Sequence, residues 1–327
     1  MFDLNVISPI LLWTAIAIYA AAFVAYAFDL ARRSQLSADS QTVAQAELVG
    51  AAVGARGTAA SKVAPGTTDA APQRFVMARI GTSLTVLAFL FHFAATLTRG
   101  IAAGRVPWAN LYEFAMIGTL LIIAVYLIVL FRVDLRFLGT FITGLVVVLL
   151  GLAATNFYID VSPLMDPLKS VWLVIHVFVA SLGTAFFALA FALSVIQLMQ
   201  SRRERLVSEG AEKTGPGFLR TFPGSERLES MAYRFTIIGF ILWTFTLIAG
   251  SIWAYYAWSR FWGFDVKETW TFVIWVLYAG YIHARATRGW RGNPSAWLAI
   301  VGFAAVMFNF TIVNVFFKGL HAYSGLS

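Results

Sequence analysis

The chain contains no cysteine. A thiolate nucleophile, a cysteine-ligated metal and any dithiol–disulfide exchange by the chain itself are thereby excluded, so thiol chemistry at this protein has to come from a partner or a substrate. Charge is scarce as well. Only 12% of the 327 residues are Asp, Glu, Lys or Arg, 60% are hydrophobic and the mean hydropathy is +0.77, far from the composition of a soluble globular domain. The net charge of +8 could suggest nucleic acid. The basic loop bias of an inner-membrane protein accounts for it, and nucleic acid is not an expected partner. Histidine occurs only four times, at His92, His176, His283 and His321.

What is present is long apolar runs, several reaching the roughly 20 residues a helix needs to cross a hydrocarbon core of about 30 Å, which sets a β-barrel aside. Apolar length read against charged breaks predicts an all-α polytopic membrane protein, a bundle of about eight transmembrane helices at 7–29, 75–98, 110–131, 136–155, 170–199, 232–254, 268–284 and 295–317. The first run follows Asp3 with no basic segment before it and no small-residue cleavage site after it, so it reads as a retained span, domain 1–30. The third run starts after the helix-breaking "RVPWANLYEF". The eighth starts after "GNP", with Asn293 as cap and Pro294 at the first helical position.

Loops 31–74, 132–136, 201–231 and 285–292, with the adjoining Arg79 and Arg234, hold 18 of the 24 Lys and Arg residues. Positive loops stay cytoplasmic, so both termini and the 99–109, 156–169 and 255–267 segments are expected on the extracytoplasmic face of a bacterial plasma membrane. The 31–74 segment, rich in Ala, Gly, Ser and Thr, reads as a flexible cytoplasmic linker. Residues 75–327 then form a seven-helix core. The basic residues of 201–231 suit anionic lipid better than a ligand.

His92 and His283 fall inside predicted spans, whereas His176 and His321 fall at outer ends. An intramembrane histidine is either a neutral imidazole bonded between helices or a functional group facing the bundle interior. Paired imidazoles on facing helices are the usual axial ligands of a haem iron. Zinc fits less well, because neither pair has a third and fourth ligand beside it. At about 1.5 Å per residue His92 lies towards the outer end and His283 towards the inner end, so they share a site only if a helix is tilted or shifted.

Trp253, Trp258, Trp262, Trp270 and Trp275 fall within 23 residues, the other six tryptophans being spread over the remainder. An interfacial aromatic belt explains Trp at a span end but not this density. A flat apolar macrocycle with two propionates would require an aromatic wall with cationic donors nearby, and Arg260 and Lys267 are available.

The stretch "GSIWAYYAWSRFWGFDVKETWTFVIWVLYAGYIHAR" resembles the tryptophan-rich WWD signature of haem-handling proteins, and specifically the CcsA/ResC-type family of System II cytochrome c biogenesis. The likeness runs from about residue 75 onward through "RVPWANLYEF", "DVKETW", "YIHAR" and "NFTIVNVFFKGLHAYSGL". The resemblance implies an external haem site with His176 and His321 as iron ligands over a surface formed by Trp253, Trp258, Trp262, Asp265 and Trp270, within an external segment at about 253–270. It implies a transmembrane haem on His92 and His283. It further implies haem b as transient cargo, a CcsB/ResB-type membrane partner, an apocytochrome c with a CXXCH motif whose thiols join the haem vinyl groups, and thioredoxin-like proteins acting indirectly on those thiols. No residue of this chain is expected to be catalytic with certainty. The signature departs from its commonest form at Phe264, where Trp is usual, and at Val266, where Pro is frequent.

Two other readings compete. A quinone-linked bis-His electron-transfer subunit would hold its haem fixed and buried, whereas a ligating site needs one edge open. A haem exporter or chaperone of the related multi-component maturation system shares the signature, but its members are shorter or much longer. On the charge bias, a cysteine introduced at Arg260 is expected to react with an impermeant thiol reagent applied from outside. Labelling of that position only after access from the cytoplasm would reverse the topology.

Overall fold

The computed structural model describes residues 3–54, 76–161, 163, 166–211, 213–287, 289–317 and 319–320, without the side chains of 36–54 and 166–167. Its elements are α1 (Leu4–Gly54), α2 (Val76–Ala103), α3 (Leu111–Leu130), α4 (Gly139–Asn156), α5 (Val171–Ser208), α6 (Ser225–Trp258), α7 (Val266–Ala286), α8 (Asn293–Phe310) and the short α9 (Ile312–Phe316). No strand occurs among the described residues. Helices α1 to α6, and α8 with its continuation into α9, are long and apolar enough to cross a membrane. The chain is a polytopic all-α membrane protein. The remaining predicted span is present as the 21-residue α7. It falls short of that apolar standard because Lys267, Glu268 and Arg285 sit at its ends and Trp and Tyr fill its middle.

One helix end and one helix start differ from expectation. Helix α1 continues to Gly54, well into the segment expected to be a linker, in keeping with its Ala-rich composition; residues 55–75 lie outside the described residues. The cap of α8 is Gly292 rather than Asn293, with Pro294 in the first turn. Gly292 sits at φ 80, a conformation that glycine adopts without strain. Polar partners hold it there, its N–H donating to Glu229 Oε2 at 3.0 Å and its carbonyl accepting from Gln197 Nε2 at 2.9 Å.

Packing divides the bundle. Helix α1 lies along α2 and against α4, α5 lies along α6 and against α8, and α3 bridges the two groups by touching α2, α4 and α5. Small residues let backbones come close, as they do wherever apolar side chains gain nothing by leaving lipid. A Cβ on Gly139 would stand 2.5 Å from the Tyr26 ring, and one on Gly239 would stand 2.7 Å from the Phe187 ring and 3.2 Å from the Gly183 carbonyl.

At the end of the bundle that carries the 259–265 loop, the start of α3 is fixed by polar groups. Asn110 Oδ1 accepts from Glu113 N at 2.9 Å. The fully buried Glu113 carboxylate accepts from Arg99 Nε at 2.9 Å, Arg105 Nη1 at 2.7 Å and Ala109 N at 2.8 Å. Breaking a buried pair strands the surviving charges, a loss of about 3–5 kcal/mol, whereas exposed pairs contribute about 0–1 kcal/mol. Glu113→Ala is therefore expected to lower the thermal unfolding temperature of the detergent-purified protein strongly. Glu209→Ala, which removes the partner of Arg205 in an exposed pair, is expected to leave it nearly unchanged.

Candidate functional site

The site sits where the start of α5 meets the last turns of α6. Ser170 caps α5, its hydroxyl accepting from Trp172 N at 3.2 Å, and this places His176 in the second turn. His176 Nδ1 lies 3.0 Å from the Thr246 carbonyl oxygen of α6. A carbonyl can only accept, so Nδ1 carries a proton, and in the neutral ring the lone pair is on Nε2. The approach depends on Gly250, because a Cβ there would stand 2.7 Å from the ring. On the other side the His176 ring stacks with Trp253 at 5.8 Å and 16°. Trp253 is 2% exposed, and Trp258 meets it edge-on at 4.9 Å.

His176, Trp253 and Lys267 line two adjoining cavities. The larger, about 1060 Å³ of empty space, lies between α3, α4, α5, α6, α7 and α8 with Phe114, Trp243 and Asn309 in its wall. The smaller, about 470 Å³, has Phe261, Trp262 and Glu268 in its wall. Lys267 donates to Asn314 Oδ1 and places its ammonium 6.0 Å from the centre of the Phe114 ring. Asn309 donates to Thr271 Oγ1 at 3.3 Å, while its own buried oxygen has no partner among the described residues.

Carboxylates tie the 259–265 loop to α7. Asp265 and Glu268 form a capping box, and Glu268 Oε2 accepts from Gly263 N at 2.8 Å. Asp265 Oδ1 also accepts from Leu320 N at 3.1 Å, which brings the chain beyond α9 back to the start of α7. Ser259 and Phe264 adopt φ 55 and φ 56, and Phe264 is 82% exposed at the tip.

The structure thus gathers His176, Trp253, Trp262 and Lys267 around the cavities, with Trp258 behind Trp253 and Asp265 at the cap. Trp270 packs 4.4 Å from Phe308 and lines neither cavity. Arg260 also lines neither; its guanidinium fills the space a Cβ at Gly263 would occupy. His321 lies outside the described residues. His92 is 0% exposed in α2, 3.5 Å from Tyr19 Oη through Nδ1, and its Nε2 has no partner among the described residues. His283 is exposed on α7. Helix α2 packs on α1, α3 and α4 whereas α7 packs on α6, α8 and α9, so the two intramembrane histidines are not on facing helices. Sequence reasoning missed Thr246, which acts through its backbone, and Gly250, whose place at the head of the aromatic stretch was a usable signal.

The family model described as cytochrome C assembly protein matches residues 108–321. The chain is 32% identical over 262 residues to the cytochrome c biogenesis protein CcsA of Guillardia theta, covering 76% of this chain and 86% of that one. It is 33% identical over 247 residues to CcsA of Prochlorococcus marinus, covering 69% and 78%. Identity to CcsA of Microcystis aeruginosa is 30% over 285 residues, covering 75% and 87%. Among solved structures, cytochrome c heme lyase CcmF superposes with a TM-score of 0.62 at 17% identity, over 95% of this chain and 47% of that one. The chain spans about half the length of CcmF, and that likeness speaks for the fold.

Gly250→Ala is expected to drive the His176 ring off the Thr246 carbonyl. Loss of such an orienting bond lowers the affinity for a metal held on the other nitrogen by about 10- to 100-fold, read by spectroscopic titration with haem. Gly280→Ala, where an added Cβ meets nothing within 4 Å, is the control expected to titrate as the unaltered protein does.

Proposed function

The chain belongs to the cytochrome c assembly protein family, and on that premise we propose that it brings haem to the extracytoplasmic face of a bacterial plasma membrane and presents it to apocytochrome c, as one half of a two-part synthase. The observation that carries this reading is the 3.0 Å contact of His176 Nδ1 with the Thr246 carbonyl oxygen. The Nδ1–H is committed to the Thr246 carbonyl, so the nitrogen bearing the lone pair is fixed in identity and the ring in orientation, as a ligand to iron requires. The surroundings fit the same cargo. The parallel Trp253 ring and the Phe114 and Trp243 side chains supply apolar wall, and Lys267 supplies positive charge for a dianionic ligand.

In this reading His176 is one axial ligand of haem b, and His321, next in the chain after the Leu320 that bonds to Asp265, is the other. Thioether formation adds the S–H of a substrate cysteine across a haem vinyl group: sulfur bonds one carbon, hydrogen the other, and no electrons are gained or lost overall. The chain has no thiol to compete with those of the substrate. Its contribution is positioning, because holding reactants in register replaces a bimolecular encounter by an effectively unimolecular one. A CcsB/ResB-type partner completes the external site, and thioredoxin-like proteins keep the substrate thiols reduced. His92 and His283 serve haem at separate points on its route, one enclosed beside Tyr19, the other exposed on α7.

His176→Ala is expected to abolish holocytochrome c formation in cells that contain the partner, while the protein remains in the membrane. Added imidazole should restore part of the yield by occupying the vacant coordination position. Undiminished holocytochrome in the variant, or loss of the protein itself with no response to imidazole, would overturn this assignment.

A further inference from the structure

The aromatic segment at the end of α6 has two sides. Trp253, with Trp258 against it, turns inward to the His176 ring, whereas Tyr255, Tyr256, Phe261 and Phe264 are exposed. Tyr255 stacks on Phe261 at 4.7 Å and 14°, and Phe264 meets Trp262 edge-on at 6.2 Å. We propose that this outer side anchors the 259–265 loop in the bilayer leaflet at that end of the bundle, with Tyr255, Phe261 and Phe264 in the apolar edge of the leaflet and Arg260 on the phosphate of an anionic phospholipid. Phe261 also lines the smaller cavity beside His176, so the anchor holds that cavity at the level of the headgroups.

Three observations carry it. First, the exposed rings continue surfaces that already face lipid. On α6, Ile241, Phe245, Ile248 and Tyr255 are exposed at spacings that keep them on one face of the helix, and that face ends on the Tyr255–Phe261 stack. On α7, Phe272 and Val276 are exposed one turn apart, and Phe272 meets Trp262 edge-on at 6.3 Å. Second, the depth suits an interface. Arg285, in the last turn of α7, pairs with Glu229 at the opposite end of the bundle. The 21 residues of α7 rise about 32 Å at ~1.5 Å per residue, close to the thickness of a hydrocarbon core of about 30 Å. The loop before α7 therefore lies where acyl chains give way to headgroups, the level at which amphipathic rings and snorkelling cations settle. Third, the loop presents groups that water serves poorly. Phe264 holds φ 56, a left-handed conformation rare for so bulky a residue, with its ring turned outward. The Arg260 guanidinium folds back over Gly263 and has no hydrogen-bond or ion-pair partner among the described residues. A planar fork of N–H donors beside apolar rings matches a phosphate at a lipid surface, whose oxygens accept two of those hydrogens.

The test uses the full chain in vesicles of phosphatidylcholine and phosphatidylglycerol, and the absence of native cysteine lets a single fluorophore be attached at Phe264→Cys. Phosphatidylcholine spin-labelled at the top of its acyl chain is expected to quench this fluorophore severalfold more than one at Lys213→Cys, in the loop between α5 and α6, and aqueous iodide is expected to do the reverse. Because that probe replaces the Phe264 ring, a fluorophore at Tyr256→Cys, which keeps it, should give the same pattern. Phosphatidylglycerol labelled at the same acyl position should quench the Tyr256→Cys probe severalfold more than phosphatidylcholine does, and Arg260→Gln should remove that excess while leaving the phosphatidylcholine quenching in place. Iodide quenching at 256 and 264 equal to that at 213 would put the loop in water and overturn the proposal. Protection of both positions from lipid and iodide alike would mean that a second copy of the chain covers the loop, and would overturn it equally. Equal quenching by the two lipids in the protein that retains Arg260 would overturn the assignment of a phosphate to that residue.

Discussion

The arrangement depends on the close approach of α5 and α6. Gly183 and Gly239 face each other with no side chain between the two backbones, and Gly250, three turns further along α6, leaves room for an imidazole from α5. Between apolar helices in lipid there is no hydrophobic gain to draw on, so packing and interhelical hydrogen bonds have to supply the association. Here the same contact supplies both. Backbones that touch at Gly183 and Gly239 bring the Thr246 carbonyl within 3.0 Å of His176 Nδ1. The orientation of the candidate ligand is thus a by-product of helix packing, and it is held by backbone atoms rather than by a loop.

The two ends of the bundle are secured in a common manner. At the site end Glu113 collects two guanidinium groups and a backbone N–H, fixing the entry of α3. At the opposite end Glu229 pairs with Arg285 at 2.7 Å and accepts from Gly292 N and Ser295 Oγ, fixing the turn from α7 to α8. Each carboxylate is nearly inaccessible to solvent, and each is compensated by cations and by the orphan donors of a helix start. The cavities lie between these anchors, in the part of the bundle where α3, α5, α6, α7 and α8 converge.

Much of the fold was legible because apolar length and charge are one-dimensional signals. All eight predicted spans correspond to helices, including α7, whose lysine and glutamate lie at its edge rather than in its middle. The continuation of α1 to Gly54 was hidden by a composition that permits either helix or coil, and the cap of α8 by the habit of assigning caps to side chains when Gly292 is held through its backbone. For the site, the aromatic run pointed to the right region. It could not distinguish Trp253, on the His176 ring, from Trp270, turned towards Phe308, because seventeen residues of sequence separate them and the intervening loop reverses the chain. Thr246 left no trace at all, since any residue there would offer the same carbonyl.

The bond from Leu320 to Asp265 orders events in time. Asp265 is needed first to start α7, which it can do as soon as that helix is made. Its Oδ1 then waits until α8 and α9 have been synthesised and threaded before Leu320 arrives, 55 residues later. A ribosome delivering this chain into the membrane therefore builds the histidine-bearing helix pair early and closes the loop beside it last, so the nascent protein passes through a stage in which every wall of the large cavity but α8 is in place and its rim is still unlatched.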